Sequence, residues 1–240
     1  MFRHVTTLQL TGNWVLMLLL AGIAGTGIAH GITDIPVPAR QIILAASCIL
    51  TGLLLPGMVD SRSPFLELSL ARWCVLTATA SFLLMMPYAF RTAQLVNSVY
   101  VSLGVFILLL LLCSLLLLAT ALLGDEPTAA LLVTLLASAC STAPLWLGPL
   151  AELAGSNQQL VDAIVAISPL SYLALLADYD YLRSAWFYQH SPFGSLRYNY
   201  PSTLSLTSAY LTLTALLLAA RWQLQRKGRQ VSGHLHDYSA

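Results

Sequence analysis

The chain has 240 residues, of which 58% are hydrophobic and only 9% are charged, and its eleven Lys and Arg nearly balance its ten Asp and Glu. The mean hydropathy is +0.76. So little polar surface excludes a soluble domain, and the balanced charge gives no sign of a nucleic-acid partner. We therefore expect an all-α integral membrane protein that forms a single transmembrane domain over residues 1–240.

Six apolar runs predict six transmembrane helices. Each is close to the roughly 20 residues that cross about 30 Å of hydrocarbon, and none has a charged residue in its interior. Short connections between the first five make neighbouring helices antiparallel. In chain order the runs are Trp14 to Ile32, Gln41 to Met58, Cys74 to Phe90, Tyr100 to Leu123, Thr128 to Leu147 and Thr203 to Ala220.

The first thirteen residues carry Arg3 and His4 ahead of the first run, a pattern similar to a signal peptide. The run itself continues through further small and apolar residues, and many more runs follow it. We therefore expect an anchor that stays in the membrane rather than a leader that is cleaved.

Charged residues interrupt the apolar pattern between the second and third runs, in Val59 to Trp73. Ser63 is a suitable helix N-cap, and Pro64 suits the first helical position because proline has no N–H to leave unpaired there. Further along, the apolar side chains recur on one stripe: Leu66, Leu70 and Trp73. The pattern predicts a short amphipathic helix along one membrane face, with a plain polar loop as the alternative.

The long connection before the last run, Gly148 to Ser202, contains an apolar stretch from Leu160 to Ala177. Its length would allow a seventh span, but Asp162 lies near its start and Ser168-Pro169 interrupts its middle. Two short helices that dip into the membrane and return fit better, because irregular backbone is tolerated at membrane depth when protein buries it. The aromatic residues crowded into Tyr179 to Tyr200 are typical of a surface at headgroup level.

The distribution of Lys and Arg favours six spans with both termini in the cytoplasm. That topology places seven of them inside and four outside, whereas seven spans place six inside and five outside. In the six-span topology the Val59 to Trp73 segment is cytoplasmic, the 148–202 region is extracytoplasmic and re-entrant, and residues 222–240 form a cytoplasmic tail. We expect the final residues, GHLHDYSA, to be disordered.

Catalytic and cofactor motifs are missing from the sequence. There is no GxxxxGK[ST] loop for ATP, no GxSxG with a partner His, and no HExxH. The cysteines lie in or beside apolar runs without metal-ligand spacing, so we interpret them as buried small hydrophobes: Cys48, Cys74, Cys113 and Cys140. We expect no enzyme, metal or cofactor, which leaves transport or scaffolding.

In this arrangement the chain resembles the membrane subunit of type-2 ATP-binding-cassette (ABC) exporters. Members of that family have an amphipathic N-terminal helix, six spans, a cytoplasmic coupling helix after the second span and re-entrant helices before the sixth. The corresponding stretches here are Phe2 to Asn13 (within residues 1–13), Val59 to Trp73 and Leu160 to Ala177. At the residue level the match is confined to Leu66-Glu67 and Arg72, because Ala71 replaces the family's serine and Ser63-Pro64-Phe65 replaces its glycine.

The resemblance implies a division of labour in the inner (cytoplasmic) membrane. Two permease subunits, identical or different, would form the pathway through the lipid bilayer, and separate cytoplasmic ATPase subunits would drive them. The implied ATPase-coupling residues are Ser63, Pro64, Phe65, Leu66, Glu67 and Arg72, with Asp125 and Glu126 of the GDEP turn as a second contact. A haem exporter subunit of cytochrome biogenesis shares this layout. The alternatives are an accessory or scaffold subunit without a pathway and, ranking lowest, a membrane-embedded enzyme; the cargo is left open.

Overall fold

The computed structural model describes residues 36–54, 66–92, 95–153, 157–191 and 196–237. Within these residues the chain is helical and contains no β-strand, which confirms the all-α prediction. A 3-10 turn, Tyr181–Arg183, accompanies the α-helices. The helices are α1 (Val37–Leu54), α2 (Leu66–Thr92), α3 (Leu95–Leu123), α4 (Glu126–Ser141), α5 (Ala143–Trp146), α6 (Gly148–Leu153), α7 (Gln158–Ile167), α8 (Pro169–Leu176), α9 (Ala185–His190) and α10 (Thr203–Asp237).

Helix α3 lies at the centre of the bundle and packs against α1, α2, α4, α8 and α10. Its sequence is apolar on every side, which suits a helix that is surrounded by other helices. Consecutive buried positions such as Leu108, Leu109 and Leu112 therefore contact different neighbours. The main core of the protein follows this helix along its length.

Within the described residues, two helices are long and apolar enough to cross a membrane: Leu95–Leu123 and the Thr203–Arg226 part of α10. The pair α7 and α8 adds a third if it is counted as one span, although it is bent by 81°. Three further apolar helices are shorter: Val37–Leu50, Cys74–Pro87 and Pro127–Ser141. The count of six spans stays a prediction, and its first member, Trp14 to Ile32, lies outside the described residues.

The predicted span Thr128 to Leu147 is wrong at its end, because α4 stops at Ser141. Pro144 has no N–H to continue the helical ladder, and its ring would collide with the carbonyl group four residues earlier. The backbone instead turns at Thr142, whose N–H donates to the Ser138 carbonyl over 3.0 Å. The short helices α5 and α6 follow.

The expectation of a disordered C-terminal tail is wrong as far as Asp237. Helix α10 begins at Thr203, passes beyond the predicted end of the last span at Ala220 and continues to Asp237 without a break. The last predicted span and most of the predicted tail are therefore one helix of 35 residues.

The second half of the predicted amphipathic segment Val59 to Trp73 belongs to helix α2. Leu66 to Trp73 are not a separate helix but the first two turns of α2, which runs on to Thr92 as one element of 27 residues. Residues 55–65 lie outside the described part of the chain. A membrane-parallel helix in front of Leu66 therefore stays a prediction.

Candidate functional site

The region before the last helix is built around a sharp break between α7 and α8. Ser168 stands at the break with extended backbone angles (φ −77°, ψ 115°), and Pro169 opens α8. The Ser168 hydroxyl accepts from the Ser171 N–H at 3.4 Å and donates to the Ser141 carbonyl at 3.1 Å. One side chain thus caps α8 and ties the break to the end of α4. The two short helices that the Ser-Pro pair predicts are confirmed; their membrane depth stays a prediction.

Helix α8 sits directly on the central helix because Gly104 leaves room for it. A Cβ atom at Gly104 would collide with the Leu176 side chain and come within 3.4 Å of both Leu173 and Tyr172. Tyr172 is fully buried between these helices and α10, where its hydroxyl lies 2.9 Å from the Thr207 hydroxyl. Its ring also meets Tyr210 edge to face at 5.0 Å between centroids. The broken pair is therefore locked to both α3 and α10.

Beyond α8, a half-exposed carboxylate organises the segment that we call the cap, residues 178–200. Asp180 accepts hydrogen bonds from the Tyr198 hydroxyl at 2.8 and 2.9 Å and from the Tyr200 hydroxyl at 2.9 Å. Arg183 lies one helical turn on, with its Nε 3.3 Å from the carboxylate and its guanidinium over the Tyr198 ring. Charge-assisted bonds of this kind are the stronger ones in proteins. Asp180 therefore joins the two ends of the cap.

In the cap, Tyr181, Tyr198 and Tyr200 each have a pKa above the ordinary value for tyrosine. Burial raises the pKa of Tyr198 above its ordinary value of 10.0, and the hydrogen bond to Asp180 raises it further. Burial and the nearby charge of Asp180 raise the pKa of Tyr200 in the same way. The pKa of Tyr181 is also raised, chiefly by burial. These hydroxyls act as hydrogen-bond donors and not as bases.

A second carboxylate fastens the cap to the broken pair. Asp162 of α7 accepts from the backbone N–H of Asn199 at 2.8 Å and from the Gln158 side chain at 2.7 Å. Gln158 also donates to the Arg197 carbonyl at 3.0 Å. Asp162, whose charge argues against a straight seventh span, thus binds the segment 197–200.

Several aromatic side chains in the described part of the cap pack against the protein, and a position of this region at headgroup level stays a prediction. Phe187 and Tyr198 are buried and pack with residues of α5, α6 and α7 in a small core of their own. Tyr181 meets Phe187 edge to face at 5.7 Å. Tyr188, by contrast, is 54% exposed. Within the described part of the cap, most of these rings stabilise the cap itself.

The turn between α8 and the cap carries a strained residue. Asp178 has φ 53°, in the left-handed region that glycine usually occupies at helix ends. Around it, the Tyr179 N–H donates to the Ala174 carbonyl at 2.9 Å and the Asp178 N–H donates to the Leu175 carbonyl at 3.3 Å. This pair of bonds is the Schellman motif, which turns the chain from α8 into the cap.

A buried polar seam follows the contacts among α1, α2 and α3. Gln41 is fully buried, and its Nε2 donates to the Ser98 hydroxyl at 2.9 Å. Ser102, one turn further along α3, lies 3.5 Å from Ser81 of α2. Within the described part of the chain, Gln41 Oε1 and the Thr77 hydroxyl are buried without a hydrogen-bond partner. Unpaired polar atoms are costly in an apolar interior, so this seam marks a weak point of the bundle.

The predicted coupling residues are only partly visible. Ser63, Pro64 and Phe65 lie outside the described residues; Leu66, Glu67 and Arg72 are described by backbone alone, on the first turns of α2. In the GDEP turn, Gly124 has φ 72° and ends α3, and Asp125 caps α4 by accepting from the Thr128 N–H at 3.1 Å and from its hydroxyl. Asp125 is exposed, while of Glu126 only the helical backbone is described. The two predicted contact regions are not brought together by any described side chain.

No protein-family model, curated protein or solved structure matches the chain. A function for the chain is therefore inferred from its own residues and their geometry.

Proposed function

We propose that the chain is the membrane-spanning permease subunit of an ABC exporter, with six spans and both termini in the cytoplasm. A second permease subunit would complete the pathway, and a separate cytoplasmic ATPase would drive it. The observation that carries the proposal is the helix pair α7 and α8, which is bent by 81° and precedes the last long apolar helix with the cap between them. The exporter family that the sequence resembles has re-entrant helices at this place in the chain.

The geometry of α2 supports a mechanical role for the Val59 to Trp73 segment. The helix is continuous over 27 residues, about 40 Å at 1.5 Å per residue. Glu67 and Arg72 lie on its first turns, and Pro87 interrupts its hydrogen-bond ladder near the other end, so a displacement of the first turns is carried along the helix as far as Pro87. Because α2 packs against α1 and α3, the bundle shares that displacement.

The outer end of the proposed pathway is the broken pair with its cap. Helix α8 is seated on α3 at Gly104 and bonded to α10 through Tyr172 and Thr207. A relative movement of α3 and α10 therefore has to move α8. The cap follows because Asp162 of α7 binds it through the Asn199 N–H, while Asp180 joins its two ends.

A pull-down of the tagged chain from its native membrane in mild detergent tests the class. A soluble co-purifying protein that carries a GxxxxGK[ST] loop is the expected partner. The purified pair is then reconstituted, and ATP hydrolysis is measured for Glu67→Ala and Arg72→Ala, with Ser69→Ala in the same turns as the matched control. Both charge variants should lose the stimulation of the ATPase while the control keeps it. Normal stimulation and binding in both variants would contradict the coupling assignment.

A non-transporting accessory or scaffold subunit is the second candidate. It is favoured by the Thr203–Arg226 part of α10, whose apolar 18-residue window is only 17% buried within the described residues. Such a face suits another membrane protein as well as it suits a second permease subunit. If the pull-down yields integral membrane proteins and no ATPase, the scaffold function replaces the permease.

A further inference from the structure

A cavity of about 250 Å³ lies between helices of the bundle, next to the break at Ser168. Four helices enclose it: α1, α3, α4 and α8. Its innermost wall is formed by Leu108 and Leu173, each only 1% exposed. The side chains that line it are mainly aliphatic and include Ile49, Leu108, Leu112, Ala137, Leu170 and Leu173.

Two of the three hydroxyl groups in the wall, those of Ser141 and Thr142, are bonded to their own helix. The Ser141 hydroxyl donates to the Ala137 carbonyl at 2.7 Å, and the Thr142 hydroxyl donates to the Ser138 carbonyl at 2.9 Å. Their protons are therefore already used within α4. A buried water needs about two to four polar partners, and a charged ligand needs more, so this wall suits neither. It suits hydrocarbon.

The volume restricts the shape of that hydrocarbon. A cavity of roughly 150 Å³ is enough for benzene, whereas pockets for drug-sized molecules occupy about 300–1,000 Å³. The cavity next to the break lies between these values, so it fits a stretch of several methylenes and not a large ring system. A single alkyl chain has the matching shape.

The way into the cavity lies at the surface of the bundle. Leu50 of α1 is 46% exposed and Thr142 at the end of α4 is exposed, while the lining residues of α3 and α8 lie deeper. Leu108 and Leu112 belong to the middle turns of α3, the most apolar of the membrane-spanning candidates. At that depth in a bilayer the surrounding medium consists of lipid acyl chains.

We propose that this cavity is a binding site for one acyl chain of a membrane lipid, which enters between Leu50 and Thr142 and ends against Leu108 and Leu173. A bound acyl chain would touch Pro169 and Leu170 in the first turn of α8, so it would stabilise the backbone conformation at the Ser168 break. The proposal requires that α3 lies in a membrane; it does not depend on an ATPase partner or on transport.

The test uses the purified full-length chain in lipid nanodiscs that contain a phospholipid with a diazirine in the middle of one acyl chain. After illumination, the labelled peptides are identified by mass spectrometry. Two variants fill the cavity, Ala46→Leu and Ser138→Leu. Ala215→Leu, on the exposed face of α10, is the matched control.

We expect labelling of the α1, α4 and α8 peptides that line the cavity in the native chain and in the control. Each filling variant should lower it at least severalfold, because the added leucine atoms take up space that the acyl chain would occupy. Melting temperatures of all variants show whether each chain folds, and the two filling variants provide independent tests.

Two results would overturn the proposal. One is labelling that is spread over exposed faces and unchanged in both filling variants. The other is labelling of the cavity that appears only after residues 1–35 have been removed, because that segment, with its apolar run Trp14 to Ile32, would then be the native occupant.

Discussion

The bundle around α3 and the cap are held together by different forces. In the bundle, aliphatic side chains meet across α1, α2, α3 and α8, and a missing side chain at Gly104 decides how closely two helices approach. In the cap, Asp180 and Asp162 bind groups that lie 18 to 37 residues further along the chain. Lipid is as apolar as leucine, so burial adds little inside a membrane and shape matters most; near water, polar bonds and burial act together. The stability of the cap should therefore depend mainly on its charged groups, and the stability of the bundle should depend mainly on side-chain volume.

Removal of the Asp180 carboxylate should give the largest effect. In Asp180→Ala the hydroxyls of Tyr198 and Tyr200 lose their acceptor, and each hydrogen bond to a charged group contributes about 1.5–3 kcal/mol. Because the carboxylate is partly exposed, we expect a loss of roughly 2–3 kcal/mol in the free energy of unfolding, together with faster proteolysis of the cap. Asp178→Asn is the control, because Asp178 is exposed and asparagine tolerates its backbone angles. Equal effects of both substitutions would contradict the role of Asp180.

Alkaline pH should loosen the same region without any substitution. The raised pKa values of Tyr198 and Tyr200 mean that an unfolded cap loses these protons near pH 10, whereas the folded cap keeps them. The unfolded state therefore binds fewer protons, and stability that is complete below pH 10 falls as the pH rises further. Proteolysis of the cap followed from pH 8 to 11 measures this change. The double variant Tyr198→Phe, Tyr200→Phe should show a much flatter dependence, and an unchanged slope would exclude these tyrosines as its cause.

A change of volume at Gly104 tests the bundle. Leucine at this position would force α8 away from α3, and overpacking of this kind costs about 1–3 kcal/mol. Gly104→Ala should be nearly neutral, because the end of the Leu176 side chain can rotate aside and alanine favours the helix by about 1 kcal/mol. Melting temperature in detergent distinguishes the two. If Gly104→Leu were as stable as Gly104→Ala, close packing at this position would not hold α8 in place.

Two substitutions in the polar seam between α1 and α3 should have smaller and unequal effects on the free energy of unfolding. Gln41→Met keeps the side-chain volume and removes the unpaired carbonyl oxygen together with its amide, so we expect a change within about 1 kcal/mol. Ser98→Ala removes the partner of the Gln41 amide and leaves that amide buried, at a cost of about 1–3 kcal/mol. Thermal unfolding of the two variants and of the double variant separates the terms. A Gln41→Met variant less stable than Ser98→Ala would mean that the carbonyl oxygen is in fact paired.

The smallest expected effect is a gain. Glycine adopts the left-handed angles of Asp178 without a steric penalty, so Asp178→Gly should stabilise the turn between α8 and the cap by up to about 1 kcal/mol. Asp178→Val, which is β-branched and poorly suited to this conformation, should destabilise it. The order of the three melting temperatures, glycine above aspartate above valine, is the result to look for.

What the sequence predicts well in this protein is local. The break at Ser168-Pro169 follows from the missing N–H of one proline. Pro144 carries the same kind of signal for the end of α4, but apolar composition alone runs past it to Leu147. Proline alone does not settle the matter either, because Pro87 lies inside α2 without ending it.

The features that could not be predicted are those that depend on long-range contacts. Nothing in the spacing of Asp180 and Tyr198 indicates that they meet, because neither lies on a periodic element that would align them. The density of aromatic residues in the cap was equally consistent with rings turned outward or inward. Gly104 likewise stands in an apolar run without any mark of the helix that docks against it.

The unbroken length of α10 has a mechanical consequence. Its 35 residues extend over about 52 Å, and it begins three residues after Tyr200, which Asp180 holds. A helix that does not bend behaves as a lever: a tilt of about 10° around its middle displaces its two ends by roughly 5 Å in opposite directions. Tyr172 is hydrogen-bonded to Thr207 in the second turn, close to one end of this helix. For a tilt about the middle, a small shift of α8 at that point is therefore accompanied by a shift of similar size, in the opposite direction, at the distant end near Asp237.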